Sequence, residues 1–202
     1  MKHLAIFLDI DGVLNSTNSP SHIWDSKEPI DQELVNNFLY IVEELKKDYV
    51  VAVVLSSSWR IGKTLEDVQD MMLKHGITIY SKTEYLKDMP RGYEIRKWME
   101  ENTAFNHFVI FDDDIDMLGV EHFFIPVIAE VGIQREHLKM ARSIANLEYN
   151  VWRDMNYRVH IDAEVFLSNQ PVEWIHATDG IPEDLILISL NGDKLHEPFF
   201  NR

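Results

Sequence analysis

The stretch that decides the fold is residues 6–13, which read IFLDIDGV. Its apolar half predicts a β-strand buried on both faces, the kind found in parallel sheets. Asp9 and Asp11 follow where the apolar run stops, and their spacing of two places both carboxylates on one side of the chain. Open α/β folds bind ligands at this carboxyl edge of the sheet, and Gly12 allows the chain to turn away from it.

A second group of acids follows another apolar run. Residues 108–111 read FVIF, and Asp112, Asp113 and Asp114 come directly after them, with Asp116 close behind. Carboxylates brought together at one edge repel and raise each other's pKa, and a divalent cation relieves that repulsion. Mg2+ prefers such hard oxygen ligands, so the sequence predicts a magnesium site at this edge.

The composition restricts the class of protein. The 202 residues fit one domain, or one domain with a small extension. With 19 Lys and Arg against 34 Asp and Glu, the formal net charge of −15 disfavours an extended nucleic-acid surface but allows a small basic site. Cysteine is absent, which excludes disulfides and thiolate metal sites. Neither a signal-peptide pattern nor an apolar run of ~20 residues is present, so we expect a soluble, cytoplasmic protein without membrane contact.

Strand and helix patterns alternate along the chain. The predicted strands are residues 4–8, 50–55, 77–80, 107–111 and 123–129, the last as an edge strand. The predicted helices are residues 31–47, 64–75, 92–101 and 135–147. This alternation predicts a doubly wound, Rossmann-like parallel sheet of the α/β class in residues 1–147. Residues 148–202 carry shorter strand patterns and an Asn191-Gly192 hairpin signal, which predicts a small β-rich C-terminal extension.

Candidate phosphate-binding groups follow the second predicted strand. The hydroxyl and backbone N–H groups of Ser56 and Ser57 could hold a phosphoryl oxygen, and helix capping is the alternative role. Arg60 could reach the same group or another part of a substrate. Trp24, in the polar loop after the first strand, could offer a stacking face for a base, although core packing accounts for it equally well.

A cation is expected near the second half of the site. Arg91 precedes a predicted helix and could neutralise both a nucleophile and a phosphate. Lys82 and Lys87 compete for this role in the same segment, and Lys87 is also a candidate substrate contact. The alternative for each of the three is an ordinary solvated charge.

Two carboxylates at Asp-x-Asp spacing suit phosphoryl chemistry. One can attack phosphorus while the other handles the proton of the leaving group and of the attacking water. The alternative is that Asp9 to Gly12 forms a turn or a calcium-like loop.

In this order, the motifs resemble those of the haloacid dehalogenase-like superfamily of aspartate-nucleophile phosphatases. The matching residues are Asp9-Ile10-Asp11-Gly12-Val13, then Ser56, Arg91, and the pair Asp112 and Asp113. The likeness covers residues 4 to about 147. The sequence around the motifs is similar to that of a capless branch of the superfamily, which includes the HAD domain of Swiss-army-knife RNA repair proteins.

The resemblance implies an aspartyl-phosphate mechanism with Asp9 as the nucleophile and Asp11 as the general acid/base. It also implies that Ser56 and Arg91 position the phosphoryl group. The implied Mg2+ ligands are Asp9, Asp11 through its backbone carbonyl, Asp112 and Asp113. Whether Asp113, Asp114 or Asp116 is the second acid stays open at this point.

The substrate class follows from the lengths of the connecting segments. Residues 15–49 and 61–90 are too short to hold a large cap domain, and an open site resembles family members that act on bulky phosphates. We therefore expect a phosphomonoesterase for a nucleotide or a nucleic-acid-end phosphate. The alternatives are a phosphatase for a phosphosugar or another metabolite, and a catalytically idle module that binds a phosphate or a partner. The C-terminal extension is a candidate contact for a homo-oligomer.

Overall fold

The computed structural model describes residues 2–27 and 29–146, together with four short strands further along the chain. Five strands form the central sheet: β1 (His3–Leu8), β2 (Val50–Leu55), β3 (Ser81–Lys82), β4 (His107–Asp112) and β5 (Phe124–Pro126). All four pairings between them are parallel, and the strand order is β3-β2-β1-β4-β5. The structure therefore confirms the predicted doubly wound α/β sheet.

Helices connect these strands. They are α1 (Ser21–Trp24), α2 (Gln32–Leu45), α3 (Leu65–Leu73), α4 (Arg91–Glu101) and α5 (His137–Ala145), with 3₁₀ turns at Ser58–Arg60 and Glu121–Phe123. The side chain of Asp31 caps α2 by accepting a hydrogen bond from the Glu33 backbone N–H at 2.9 Å. A capping box formed by Thr64 and Asp67 begins α3.

The helices cover both faces of the sheet. Phe7 of β1 meets Trp98 of α4 edge-on, with ring centroids 5.3 Å apart. On the opposite face, Phe111 of β4 meets Phe38 of α2 at 6.3 Å. Because both faces are covered, every residue of β4 is buried, and so is every residue of β1 after His3. Burial on both faces explains why these strands are continuous apolar runs in the sequence.

The third strand differs from its prediction. The apolar pattern predicted a strand at residues 77–80, whereas β3 is Ser81–Lys82. Ile77 and Ile79 are buried, so the pattern correctly indicated burial but not the residues that pair with β2. The edge position predicted for the fifth strand is confirmed, and Pro126 lies at its last position.

The described strands beyond residue 146 form two antiparallel pairs. Strand β6 (Arg158–His160) pairs with β7 (His176–Thr178), and β8 (Leu187–Ile188) pairs with β9 (Lys194–His196). These pairs agree with the predicted β-rich extension. The predicted domain boundary at residues 147–148 and the Asn191-Gly192 turn lie outside the described residues. Among the helices that the structure describes, none is long and apolar enough to cross a membrane.

Candidate active site

Parallel pairing brings the predicted site residues to one edge of the sheet. The Asp9 N–H donates to the Phe111 carbonyl at 3.0 Å, so Asp9 lies beside Asp112 at the end of β4. On the other side, the Ser56 N–H donates to the Leu8 carbonyl, also at 3.0 Å. The ladder therefore continues one residue past β1 and β2 and fixes Asp9 between Ser56 and Asp112. The backbone alone sets this order, before any side chain is considered.

Three carboxylates meet at this edge. Ligand oxygens of Asp9, Asp112 and Asp113 lie within 4.8 Å of one another. Asp9 and Asp112 are buried, whereas Asp113 is partly exposed. Burial and the charge of Asp9 raise the pKa of Asp112 to about 7, although Arg91 opposes the shift. Burial and the charge of Asp9 also raise the pKa of Asp113. The positive charge of Arg91 therefore does not fully offset the repulsion among the three carboxylates.

The acid cluster fits a hard divalent cation. Asp9 Oδ1 is buried and has no hydrogen-bond partner among the described residues. A buried carboxylate oxygen without a partner is costly, and a cation would satisfy it. The donor set consists only of carboxylate oxygens, which suits Mg2+ rather than a softer metal. The three residues present at this edge could therefore hold a magnesium ion.

Arg91 lies against two carboxylates of the acid cluster. Its Nη1 lies 3.1 Å from Asp9 Oδ2 and also donates to Asp112 Oδ2. Burial would lower the pKa of Arg91, but the two carboxylates outweigh it and raise that pKa above the usual value. Lys82 donates instead to the backbone carbonyl of Lys63. Arg91 is therefore the one of the three proposed cations that the structure places in contact with Asp9.

The crowded acids after β4 have different roles. Asp116 Oδ2 accepts from the Arg91 N–H at 3.1 Å, and its carbonyl accepts from the Gly92 N–H at 2.9 Å. Asp116 therefore caps α4 and is not a member of the carboxylate cluster. The Asp114 N–H donates to Asp112 Oδ1 at 3.0 Å, while its own side chain is exposed. Of the three acids after Asp112, Asp113 is thus the one that belongs to the cluster.

Gly92 permits this arrangement. A β-carbon at this position would overlap the backbone of Met117 and Leu118, which pass directly over the first turn of α4. Arg91 therefore provides a charged group for the site, and Gly92 leaves room for the loop that passes over the helix.

The two serines after β2 differ in their surroundings. Ser56 is fully buried, and its Oγ has no hydrogen-bond partner among the described residues. Ser57 is equally buried, but its Oγ accepts from the Trp59 N–H at 3.4 Å and caps the 3₁₀ turn. The Ser56 hydroxyl therefore has no hydrogen-bond partner among the described residues, whereas Ser57 already has the capping role given above as the alternative.

Asp11 lies outside the carboxylate cluster, and two side chains fix its position. Asn15 Nδ2 donates to Asp11 Oδ1 at 3.0 Å, and the indole N–H of Trp59 donates to Asp11 Oδ2 at 2.9 Å. Neither contact was predicted. Trp59 lies three residues after Ser56, so the segment that follows β2 also contacts Asp11, the second carboxylate of the Asp-x-Asp pair.

Arg60 corrects one prediction. It is 2% exposed, so it is not placed to contact a substrate. Its guanidinium group pairs with Glu94 and donates to three backbone carbonyls, those of Ser56, Ser57 and Thr83. Burial lowers the pKa of Arg60, and the carboxylate of Glu94 opposes that shift. Arg60 therefore ties together the loops after β2 and β3 at the carboxyl edge of the sheet.

The remaining predicted contacts lie on the surface. Trp24 ends the short helix α1 and is 46% exposed, so its ring is available to a ligand and is not a core residue. Lys87 is exposed in the loop before α4.

Sequence reasoning missed Glu94, Asn15 and Trp59 as parts of the site's framework. Glu94 is 4% exposed and its Oε1 accepts from the Leu86 N–H at 2.7 Å, in addition to the pairing with Arg60. The available signal was weak: a glutamate on the first turn of a helix reads as an ordinary surface residue. The partners are 34 residues apart, and a local pattern does not connect them.

A parallel sheet with carboxylates, a serine and an arginine at its carboxyl edge is the arrangement of haloacid dehalogenase-like hydrolases. The chain matches the family model described as the HAD domain in Swiss Army Knife RNA repair proteins over residues 5–138. It therefore belongs to this family, which indicates a hydrolase of the phosphatase type. No curated protein and no solved structure matches the chain significantly.

Proposed function

We propose that the chain is a Mg2+-dependent phosphomonoesterase that acts through an aspartyl-phosphate on Asp9. The environment of Asp9 carries the proposal. One of its oxygens lies 3.1 Å from Arg91, and the other is buried without a partner among the described residues. A nucleophilic carboxylate needs a free lone pair and a cation nearby to hold the phosphoryl group. Asp9 has both.

The reaction proceeds in two displacements. In the first, an Asp9 oxygen attacks phosphorus, the bond to the leaving oxygen breaks, and Asp11 gives that oxygen a proton. The phosphoryl oxygens bind to Arg91 and to the Ser56 hydroxyl. In the second, water attacks phosphorus while Asp11 takes its proton. Inorganic phosphate leaves, and the Asp9 carboxylate is restored.

The metal ligands follow from the cluster. Asp9, Asp112 and Asp113 would hold Mg2+, together with the Asp11 carbonyl that the family resemblance implies. When bound, the ion supplies positive charge against the carboxylates and the phosphoryl oxygens.

A nucleotide or a nucleic-acid terminus is the proposed substrate. In support, only α1 and loops lie between the first motif and α2, and only α3 lies between the 3₁₀ turn at Ser58–Arg60 and β3. Among the described residues, the segments between these motifs thus hold no cap domain, which supports a bulky phosphoester as the substrate. The exposed ring of Trp24 offers a stacking surface. The net charge of −15 suits recognition of a terminus rather than binding along a nucleic-acid backbone. The description of the matched family points in the same direction.

The test is phosphate release from a panel of nucleotides, 3′- and 5′-phosphorylated oligonucleotides and sugar phosphates, with Mg2+ or with EDTA. Wild type should turn over at least one nucleotide or oligonucleotide only when Mg2+ is present. Asp9→Asn should lose all measurable turnover. Asp70→Asn, the same change at an exposed position of α3, is the matched control and should keep it.

Other outcomes of this panel are equally informative. Release from sugar phosphates alone would replace the proposed substrate by a metabolite. No release from protein shown to be folded would favour a module that binds phosphate or a partner. A cytoplasmic location and self-association through residues 148–202 are also proposed, and light scattering of the full chain tests the second.

A further inference from the structure

The carboxylate of Asp11 is held from both sides, although the residue itself is exposed. Its Oδ1 accepts from Asn15 Nδ2 at 3.0 Å, and its Oδ2 accepts from Trp59 Nε1 at 2.9 Å. An exposed aspartate would otherwise sample several rotamers in solvent. Two donors on opposite oxygens restrict it to one rotamer, which costs side-chain entropy.

Both donors are themselves fixed. Asn15 is 1% exposed, donates to the Pro29 carbonyl at 2.8 Å and accepts from the Gly12 N–H at 2.9 Å. Trp59 packs partly buried against the core, and its carbonyl accepts from Lys63 Nζ at 2.7 Å. A rigid framework therefore surrounds Asp11, and each donor leaves one lone pair on the oxygen it contacts.

The chemistry of the indole suits this position. An indole N–H donates a hydrogen bond but cannot accept one, so it orients a carboxylate without competing for the proton that the carboxylate transfers. Trp59 lies in the 3₁₀ turn Ser58–Arg60, which Ser57 caps, and Ser56, the proposed phosphoryl ligand, is the residue before that cap. The segment that directly follows β2 therefore carries both the proposed phosphoryl ligand and the group that orients Asp11.

We propose that Trp59 is a positioning residue, which holds Asp11 where it protonates the leaving group. This inference rests on the proposed phosphatase function. In the first displacement the Asp9–phosphorus bond forms, the phosphorus–leaving oxygen bond breaks, and the Asp11 proton passes to that oxygen. A misplaced Asp11 slows this step only when the leaving oxygen needs a proton.

The test compares leaving groups. Trp59→Phe keeps an aromatic ring and removes the donor. Its kcat/KM for an alkyl phosphate, such as a nucleoside monophosphate, should fall about 10- to 100-fold, a fraction of the full effect of a general acid. Its kcat/KM for 4-nitrophenyl phosphate, whose leaving group needs no proton, should stay near the wild-type value. Trp98→Phe is the matched control, because that indole donates to Ser81 Oγ at 3.0 Å, and it should not change the ratio.

A double-mutant cycle separates positioning from general structural damage. In the Asp11→Asn background, Trp59→Phe should add no further selective loss, because the proton is no longer available. An equal fall for alkyl and aryl substrates, or the same loss in both backgrounds, would overturn the inference. Asp9→Asn should abolish turnover of both substrates. If even wild type turns over neither, the proposed function fails, and this result is distinct from a failure of the inference about Trp59.

A second variant keeps the inference testable if Trp59→Phe does not fold. Asp11→Ala changes an exposed side chain and removes the acceptor. The indole N–H signal of Trp59 in a ¹H–¹⁵N spectrum should then move upfield, since a carboxylate acceptor shifts it downfield. An unchanged signal would show that the contact does not form in solution and would overturn the inference.

Discussion

Gly12 and Asp113 share one narrow space at the catalytic edge: a β-carbon on Gly12 would overlap the carboxyl group of Asp113. Gly12 also has a positive φ of +69°, a conformation that other residues adopt at a cost. Gly12 therefore has two roles: it allows the turn after β1, and it leaves room for the carboxyl group of Asp113, which follows the neighbouring strand β4.

Replacing Gly12 should weaken the metal site. In Gly12→Ala the new methyl group displaces Asp113, so we expect the Mg2+ concentration for half-maximal activity to rise about 10- to 100-fold. Gly62→Ala is the control: Gly62 has a similar φ of +73°, but a β-carbon there meets nothing within 4 Å. Both variants pay about 1–2 kcal/mol for the backbone conformation. An equal Mg2+ requirement in the two variants would contradict the role assigned to Asp113.

The sequence predicted this edge because its two main carboxylates follow apolar runs. Asp9 and Asp112 end neighbouring strands that are buried on both faces, and burial of that kind is visible in a sequence. The third strand was misplaced because Ile77 and Ile79 are buried without belonging to β3. Apolar patterning reports burial, and it does not report which backbone groups pair across a sheet.

The side-chain contacts that hold the site together could not be predicted from the sequence for a different reason. Trp59 and Asp11 are 48 residues apart, and Arg60 and Glu94 are 34 apart. Such contacts depend on how the loops pack after the sheet has formed. The role of Asp116 was equally hidden, because its capping of α4 requires the loop to lie against Gly92.

Substitutions of Asp116 and Asp113 should have different effects, the first on stability and the second on metal binding. Asp116→Ala removes the carboxylate that caps the Arg91 N–H, so the free energy of unfolding should fall by about 1 kcal/mol while the Mg2+ requirement stays the same. Asp113→Asn should do the opposite, with a higher Mg2+ requirement and little change in stability. Urea denaturation and Mg2+ titration of activity measure the two quantities. A metal defect in Asp116→Ala would show that the cluster extends further along the loop.

The buried pair of Arg60 and Glu94 should dominate the stability of the loops. Their side chains are 3% and 5% exposed, so Arg60→Met leaves a buried carboxylate without its cation and should cost about 3–5 kcal/mol. The control is Arg96→Met, which breaks an exposed pair with Glu100 and should cost less than about 0.5 kcal/mol. Replacing both Arg60 and Glu94 by apolar residues should restore part of the loss. Urea denaturation curves with similar midpoints for Arg60→Met and Arg96→Met would refute this.

The two serines after β2 should behave oppositely. Ser56→Ala removes a buried hydroxyl that has no partner among the described residues, so the protein should be as stable as wild type or slightly more stable. Its kcat/KM should nevertheless fall about 10²- to 10³-fold, as for loss of one donor to a charged oxygen. Ser57→Ala should lose about 0.5 kcal/mol of stability with a much smaller effect on turnover. Thermal unfolding and steady-state kinetics distinguish them, and a reversed pattern would assign the phosphoryl contact to Ser57.

The metal-free protein should become less stable as Asp112 ionises. Its pKa is about 7 in the folded state and about 3.8 in the unfolded state, because burial and the charge of Asp9 disfavour the carboxylate. Between these values the folded protein keeps a proton that the unfolded chain has released. Rising pH therefore favours unfolding, up to a limit of about 4 kcal/mol that is reached above pH 7.

The comparison with Asp112→Asn isolates this contribution. In EDTA, the unfolding free energy of wild type minus that of the variant should fall from pH 5 to pH 8, because the variant has no proton to lose at this position. Adding Mg2+ should stabilise wild type strongly at pH 8 and weakly at pH 5, where the proton competes for the same carboxylate. Urea denaturation at the two pH values measures both differences. A difference that does not change with pH would mean that Asp112 is ionised throughout and that Arg91 alone neutralises it.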